Sequence, residues 1–132
     1  RSLPYHFLLT ARAEPFLHGN PDLDDTIRRL KAFADAGADV LYAPGLSSAE
    51  QVLAVVQAVA PKPVNVLMSG ALDLTVTQLS ELGVKRISVG SALALAALGE
   101  FFRAAEEIQL QGTFTFTRRS MPFKHANQLF KG

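Results

Sequence analysis

The sequence predicts an α/β fold of four successive parallel strand–helix units, and three observations carry that prediction. Four apolar runs recur along the chain, at Tyr5–Leu9, Val40–Ala43, Val64–Met68 and Arg86–Val89. Segments with helical spacing of apolar residues lie between them. Glycines and prolines mark the joins, and the whole pattern repeats at intervals of roughly 25–30 residues, as βα units do.

Taken in order, the run Tyr5–Leu9 is the first strand, and Thr10-Ala-Arg-Ala-Glu14 closes it. A loop from Pro15 to Pro21 leads to Asp22, which suits the cap of a helix whose first turn holds Asp24 and Asp25. Leu23, Ile27, Leu30 and Ala34 share one face of that helix, and Gly37 follows it. Ser47 or Ser48 starts a second helix with Val52, Val55, Val56 and Val59 on one face. Pro61 and Pro63 end it and impose an extended approach to the third strand. Val76, Leu79 and Leu82 mark a shorter third helix, stopped at Gly83 before the fourth strand. None of the four runs shows clean polar alternation, so they read as strands covered on both faces. Ser91 then opens a long Ala-rich helix with Leu93, Ala97, Phe101, Ala104 and Ile108 as its buried stripe, and Gly112 ends it. Residues 1–112 form the βα domain, and residues 113–132 form an arm or short helix bearing Phe114, Phe116, Phe123, Leu129 and Phe130. That arm docks its aromatics on a partner subunit or on its own domain.

Bulk composition sets limits. With 132 residues, 48% hydrophobic and 19% charged, the chain can bury a core and is not disordered. A net charge of +1 gives no footprint for nucleic acid or an anionic membrane. The chain has no Cys, which excludes disulfides and thiolate catalysis. No apolar run is long enough to span a bilayer, and no signal peptide opens the chain, which fits a cytoplasmic protein. The start at Arg1 without Met suggests a trimmed or incompletely ordered N-terminus. His6, His18 and His125 are dispersed without metal-ligand spacing, and Arg118-Arg119 reads as solvated surface.

Arg12 and Glu14 fall at the C-terminal end of a buried strand, where α/β-barrel enzymes place substrate-binding groups. The same two residues also suit a structural ion pair.

With those residues in view, the chain resembles the isocitrate lyase and phosphoenolpyruvate mutase family. The matching pieces are Ala11-Arg-Ala-Glu14, Gly19-Asn-Pro-Asp-Leu-Asp-Asp25, Ala36-Gly-Ala-Asp39 leading into Leu41-Tyr-Ala-Pro-Gly45, Lys62-Pro-Val-Asn65, and Leu82-Gly-Val-Lys-Arg-Ile-Ser-Val-Gly-Ser91. Their order and spacing agree over essentially the whole chain. The resemblance implies four parallel βα units forming half of a (β/α)8 TIM-type barrel, followed by a long helix and a C-terminal arm that is often exchanged between subunits. The family acts on small 2-oxo acids or hydroxy-di- and tricarboxylates, making or breaking a C–C or P–C bond. Magnesium steadies the enolate-like intermediate.

By resemblance, Arg12 pairs with a substrate carboxylate, and Glu14 holds Arg12 or contacts the substrate or a metal-bound water. Asn65 donates a hydrogen bond to a substrate oxygen, and Gly90 and Ser91 form an anion-favouring turn at the start of the last helix. The alternative for Asn65 is to cap a backbone group, and for Gly90-Ser91 a plain helix start. The family's magnesium-binding acids and mobile loop belong to the other half of the barrel, so no metal ligand or catalytic residue is expected in this chain. Magnesium is expected only for the complete family site. Pro44-Gly45 stands where many lyases carry a Glu, and Ala94-Leu95 where related sequences often carry an Arg.

The expected function is therefore a truncated, non-catalytic relative that oligomerises, or alternatively one part of a magnesium-dependent lyase or mutase active when its barrel is completed. Half a barrel leaves two sheet edges open and one sheet face in need of cover. Leu9, Leu41, Val66 and Val89 are expected on that face, and homo-oligomers through the edges and the arm are the expected remedy.

Overall fold

The computed structural model describes residues 3–131, and the chain forms two compact units, residues 1–90 and residues 91–132. The first unit holds one four-stranded sheet of β1 (Thr10–Arg12), β2 (Val40–Tyr42), β3 (Val64–Leu67) and β4 (Arg86–Ser88), in sequence order. Every neighbouring pair is parallel. Three helices connect the strands: α1 (Leu23–Asp35), α2 (Ala49–Ala58) and α3 (Val76–Glu81). The second unit holds α4 (Ala92–Gln111), a 3₁₀ turn (Thr115–Arg119) and α5 (Phe123–Leu129).

The helix starts follow their side chains. Asp22 accepts from the Asp25 backbone at 2.9 Å, and Ser48 accepts from Gln51 at 3.3 Å. Thr75 and Gln78 form a reciprocal capping box at the start of α3. The core lies between the sheet and α1–α3. Leu41, Val64 and Val66 pack there with Leu30, Val52, Val55 and Leu79. This corrects the expectation for the sheet faces. Leu41 (0% exposed) and Val66 (2%) point toward the helices, not into a barrel centre.

The opposite face carries the alternate residues. Register pairs Thr10 with Val40, Arg12 with Tyr42, Tyr42 with Asn65, Asn65 with Arg86 and Leu67 with Ser88. Parallel partners point the same way, so this face carries Thr10, Arg12, Val40, Tyr42, Asn65, Leu67, Arg86 and Ser88. It is mostly polar. The segments Thr-Ala-Arg-Ala-Glu and Arg-Ile-Ser-Val do alternate with period two, and the expectation of strands apolar on both faces fails for them.

Three further expectations are corrected. The first strand is Thr10–Arg12 rather than Tyr5–Leu9, because pairing begins only at Leu9, whose carbonyl accepts from the Asp39 and Val40 amides. Tyr5, Phe7 and Leu8 precede that point and are exposed. Val76, expected on the buried face of α3, is exposed, and Leu79 alone of its three apolar positions is deeply buried. The stripe expected along α4 is not buried either. No residue of α4 is buried, and Leu93 and Phe101 are 74% and 66% exposed.

Within the second unit, Glu107 ties the turn back to α4. Its carboxylate accepts from the Thr113 hydroxyl at 2.8 Å, from the Thr115 amide, and from the Phe116 amide at 3.2 Å. Desolvation pushes this carboxyl up, but those donors outweigh it and hold it below the ordinary glutamate value. Arg119, expected as solvated surface, pairs with Glu100 at 3.1 Å.

Candidate functional site

The candidate site lies at the C-terminal ends of the strands. Arg12, the last residue of β1, places its guanidinium 2.7 Å from the Glu14 carboxylate. It also lies over the ring of Tyr42, its register partner on β2, at 5.2 Å from the ring centre. Alternation explains the cluster. Arg12 and Glu14 are two residues apart on the polar face, and buried Ala13 between them turns inward to the core. The Ala13 amide donates to the Tyr42 carbonyl at 2.9 Å, which extends β1–β2 pairing to Glu14's doorstep. Glu14 then caps a 3₁₀ turn, Pro15–His18, and the His18 ring stands 3.5 Å from its carboxylate. The Arg12 side chain is half exposed, so its remaining N–H groups can meet a ligand from solvent.

Asn65 is almost fully buried beside Tyr42 in the register. Its Nδ2 donates to Ser88 Oγ at 3.0 Å, and Ser88 stands within 3.5 Å of the Val66 carbonyl. Asn65 Oδ1 is buried with no hydrogen-bond partner among the described residues. An unmatched buried acceptor is costly, and it suits a donor such as a hydroxyl or a water. Asn65 Nδ2 donates to Ser88, and the atom left without a partner is the acceptor Oδ1.

Gly90 closes the first unit with a φ of 53°, and a Cβ there would stand 3.4 Å from Leu67. Ser91 precedes α4, and its side chain makes no capping hydrogen bond. The structure thus joins Arg12 and Glu14 with Tyr42 and joins Asn65 with Ser88, all on one face of the sheet. Gly90 stands near Leu67, and Ser91 begins the second unit. Tyr42 and Ser88 were missed from the sequence. The signal for them was the strand alternation, which groups them with Arg12 and Asn65 once the register is known.

Among the described residues, no group of three or more His, Asp, Glu or Cys side chains is placed to hold a metal ion. Glu14, the carboxylate at this rim, is already engaged by Arg12. These residues do not fit a magnesium site by themselves. No helix among the described residues is long and apolar enough to cross a membrane.

Comparison with known proteins gives the context. Residues 1–109 match the family described as phosphoenolpyruvate phosphomutase. A solved structure from Burkholderia cenocepacia J2315, described as a "putative lyase/mutase", is 56% identical with a TM-score of 0.92, over 99% of this chain and 47% of that one. Oxaloacetate acetylhydrolase, solved with its product oxalate, is 25% identical with a TM-score of 0.73, over 93% of this chain and 46% of that one. At 22% identity, 2,3-dimethylmalate lyase of the PEP mutase/isocitrate lyase superfamily shares the fold, with a TM-score of 0.71 over 92% of this chain and 46% of that one. The chain spans about half the length of each of these solved relatives.

Proposed function

The chain belongs to the phosphoenolpyruvate phosphomutase family, and from that premise we propose that it is the carboxylate-binding half of a lyase- or mutase-type barrel, a half that does not turn over substrate by itself. Arg12 carries the reading. Its guanidinium is held by Glu14 and Tyr42 at a strand end yet stays half exposed. A planar two-pronged donor in that setting matches a carboxylate in shape and charge. The oxaloacetate acetylhydrolase solved with oxalate supports a small di-acid as the ligand class. Asn65 and Gly90 are proposed to line the same anion site, with a water bridging Asn65 Oδ1 to the ligand.

Titration of the chain with oxalate tests this. Binding is expected, and Arg12→Ala should weaken it at least about tenfold, the loss typical of a charge-assisted pair. Arg12→Lys should recover only part, because an ammonium lacks the fork. Equal affinity in all three proteins overturns the reading.

The same half is proposed to associate. β1 and β4 have no outer partner among the described residues, and unpaired strand edges take up other strands. α4 exposes Leu93, Leu95, Phe101 and Phe102, and α5 exposes Phe123 and Leu129. An apolar surface of this kind suits a second copy. A stable monomer in sedimentation at micromolar concentration contradicts this part.

A second reading, favoured by the retained Arg12–Glu14 pair, makes the chain part of a magnesium-dependent lyase or mutase that is active once the barrel is completed, with metal ligands drawn from other residues. Turnover of a small 2-oxo acid only when the completing residues and Mg²⁺ are present distinguishes it.

A further inference from the structure

Arg86 is the charged group of the polar face that the carboxylate reading does not use. The register sets Arg12, Tyr42, Asn65 and Arg86 in one row across the four strands, with an arginine at each end. The row is not flat. Arg86 Nη1 reaches Thr10 Oγ1 on β1 at 3.3 Å, past the two strands between. Only a concave face lets one side chain span that width. The reach also carries the second guanidinium to the strand that bears Arg12. Thr10 lies two residues before Arg12, a rise of roughly 6–7 Å along β1. Among the described residues, the polar contact of Arg86 is this neutral hydroxyl at long range, and the carboxylate nearby, Glu14, is held by Arg12. Two like charges over one concavity repel each other, and the low-dielectric wall of the sheet focuses the field they share. An anion with one charge answers one of them. An anion with two separated charges answers both.

We propose that Arg86 selects the second acid group of the ligand, so that the site takes a dicarboxylate whose two ends are separated by a short carbon chain. The inference rests on the carboxylate reading above and deepens it. Arg12 takes the first carboxylate at the strand ends. Arg86 takes the second, lower on the face at the level of Thr10. Oxalate carries its carboxyl groups on adjacent carbons and is too short to engage both. A five-carbon diacid such as glutarate spans the step. Thr10 sets the resting position of Arg86 without neutralising it. A hydroxyl contact at 3.3 Å is weak beside a charge-assisted pair, so a carboxylate displaces it. Tyr42 and Asn65 stand between the two arginines in the row and form the floor under the carbon chain of the ligand.

The test is titration of the chain with glutarate and with its monoamide, which keeps the length and lacks one charge. The native chain should bind glutarate at least about tenfold more tightly, the difference typical of a charge-assisted pair. Arg86→Met should abolish that preference while leaving the monoamide affinity within about twofold, a pattern that general loss of structure does not give. Arg86→Lys should keep part of the preference, because an ammonium retains the charge without the fork. Circular dichroism checks the fold of each variant, and the native preference needs no variant at all. Equal affinity of the native chain for the two compounds, or a preference that survives Arg86→Met, overturns the inference. Oxalate titration on the same proteins keeps the two readings apart, since oxalate binding should depend on Arg12 and not on Arg86. Arg12-dependent oxalate binding without a preference for glutarate overturns this inference alone. Oxalate binding that ignores Arg12 overturns both.

Discussion

Leu41→Ala is expected to destabilise the first unit by about 2–5 kcal/mol, the range for emptying a fully buried leucine site. Leu41 is 0% exposed in the middle of β2, in register with Ala11 on one side and Val64 on the other. Its side chain points into the cluster of Leu30, Val52, Val55 and Val66, where sheet and helices meet. A cavity there cannot refill easily, because hydrogen-bonded strands hold the position from both sides. Domains of this size are stable by only about 5–15 kcal/mol, so the loss removes a large share of the total. Thermal unfolding should move down by on the order of 10 °C. A shift of one or two degrees would show that the helix face of the sheet is not the core.

Gly45→Ala should cost less overall but should reach the candidate site. Gly45 has a φ of +94°, which an L side chain tolerates at about 1–2 kcal/mol. An added Cβ would also lie 2.9 Å from Phe16 Cβ and 3.4 Å from the Phe16 carbonyl carbon. Crowding of that kind adds roughly 1–3 kcal/mol. Gly19→Ala is the matched control. Gly19 has a φ of +75°, but nothing lies within 4 Å of its added Cβ, so only the backbone term operates. The difference between the two melting temperatures isolates the Phe16 contact. Phe16 is two residues after Glu14 in the 3₁₀ turn, and pushing it outward should carry Glu14 away from Arg12. Weaker oxalate binding by Gly45→Ala, with Gly19→Ala unchanged, is the expected result. Equal stability of the two variants would remove the steric argument.

Much of this arrangement was legible in the chain. Asp22, Ser48 and Thr75 announce their helices because a capping oxygen is a local matter, settled within four residues. Leu30, Val52 and Leu79 follow from helical spacing for the same reason. What the sequence concealed was non-local. Tyr5–Leu9 has the composition of a strand, but pairing depends on where β2 begins, and that is set at Asp39. Leu41 and Val66 are apolar enough for either face of a sheet, and only the register assigns them to the helix side. The stripe along α4 is a true period, yet periodicity says which residues share a face and not whether anything covers it. Arg12 and Glu14 were found from their place in the chain. Their neighbours Tyr42 and Ser88 come from other strands, and alternation alone could have grouped them.

The position of Tyr42 beneath Arg12 has an optical consequence. The chain has two tyrosines and no tryptophan, and of the two Tyr5 stands in solvent while Tyr42 is buried. A guanidinium over a phenol ring perturbs its excited state, so any anion that draws Arg12 aside changes the emission of Tyr42 against a steady background from Tyr5. Intrinsic fluorescence, without a label, thus reports occupancy at the strand ends.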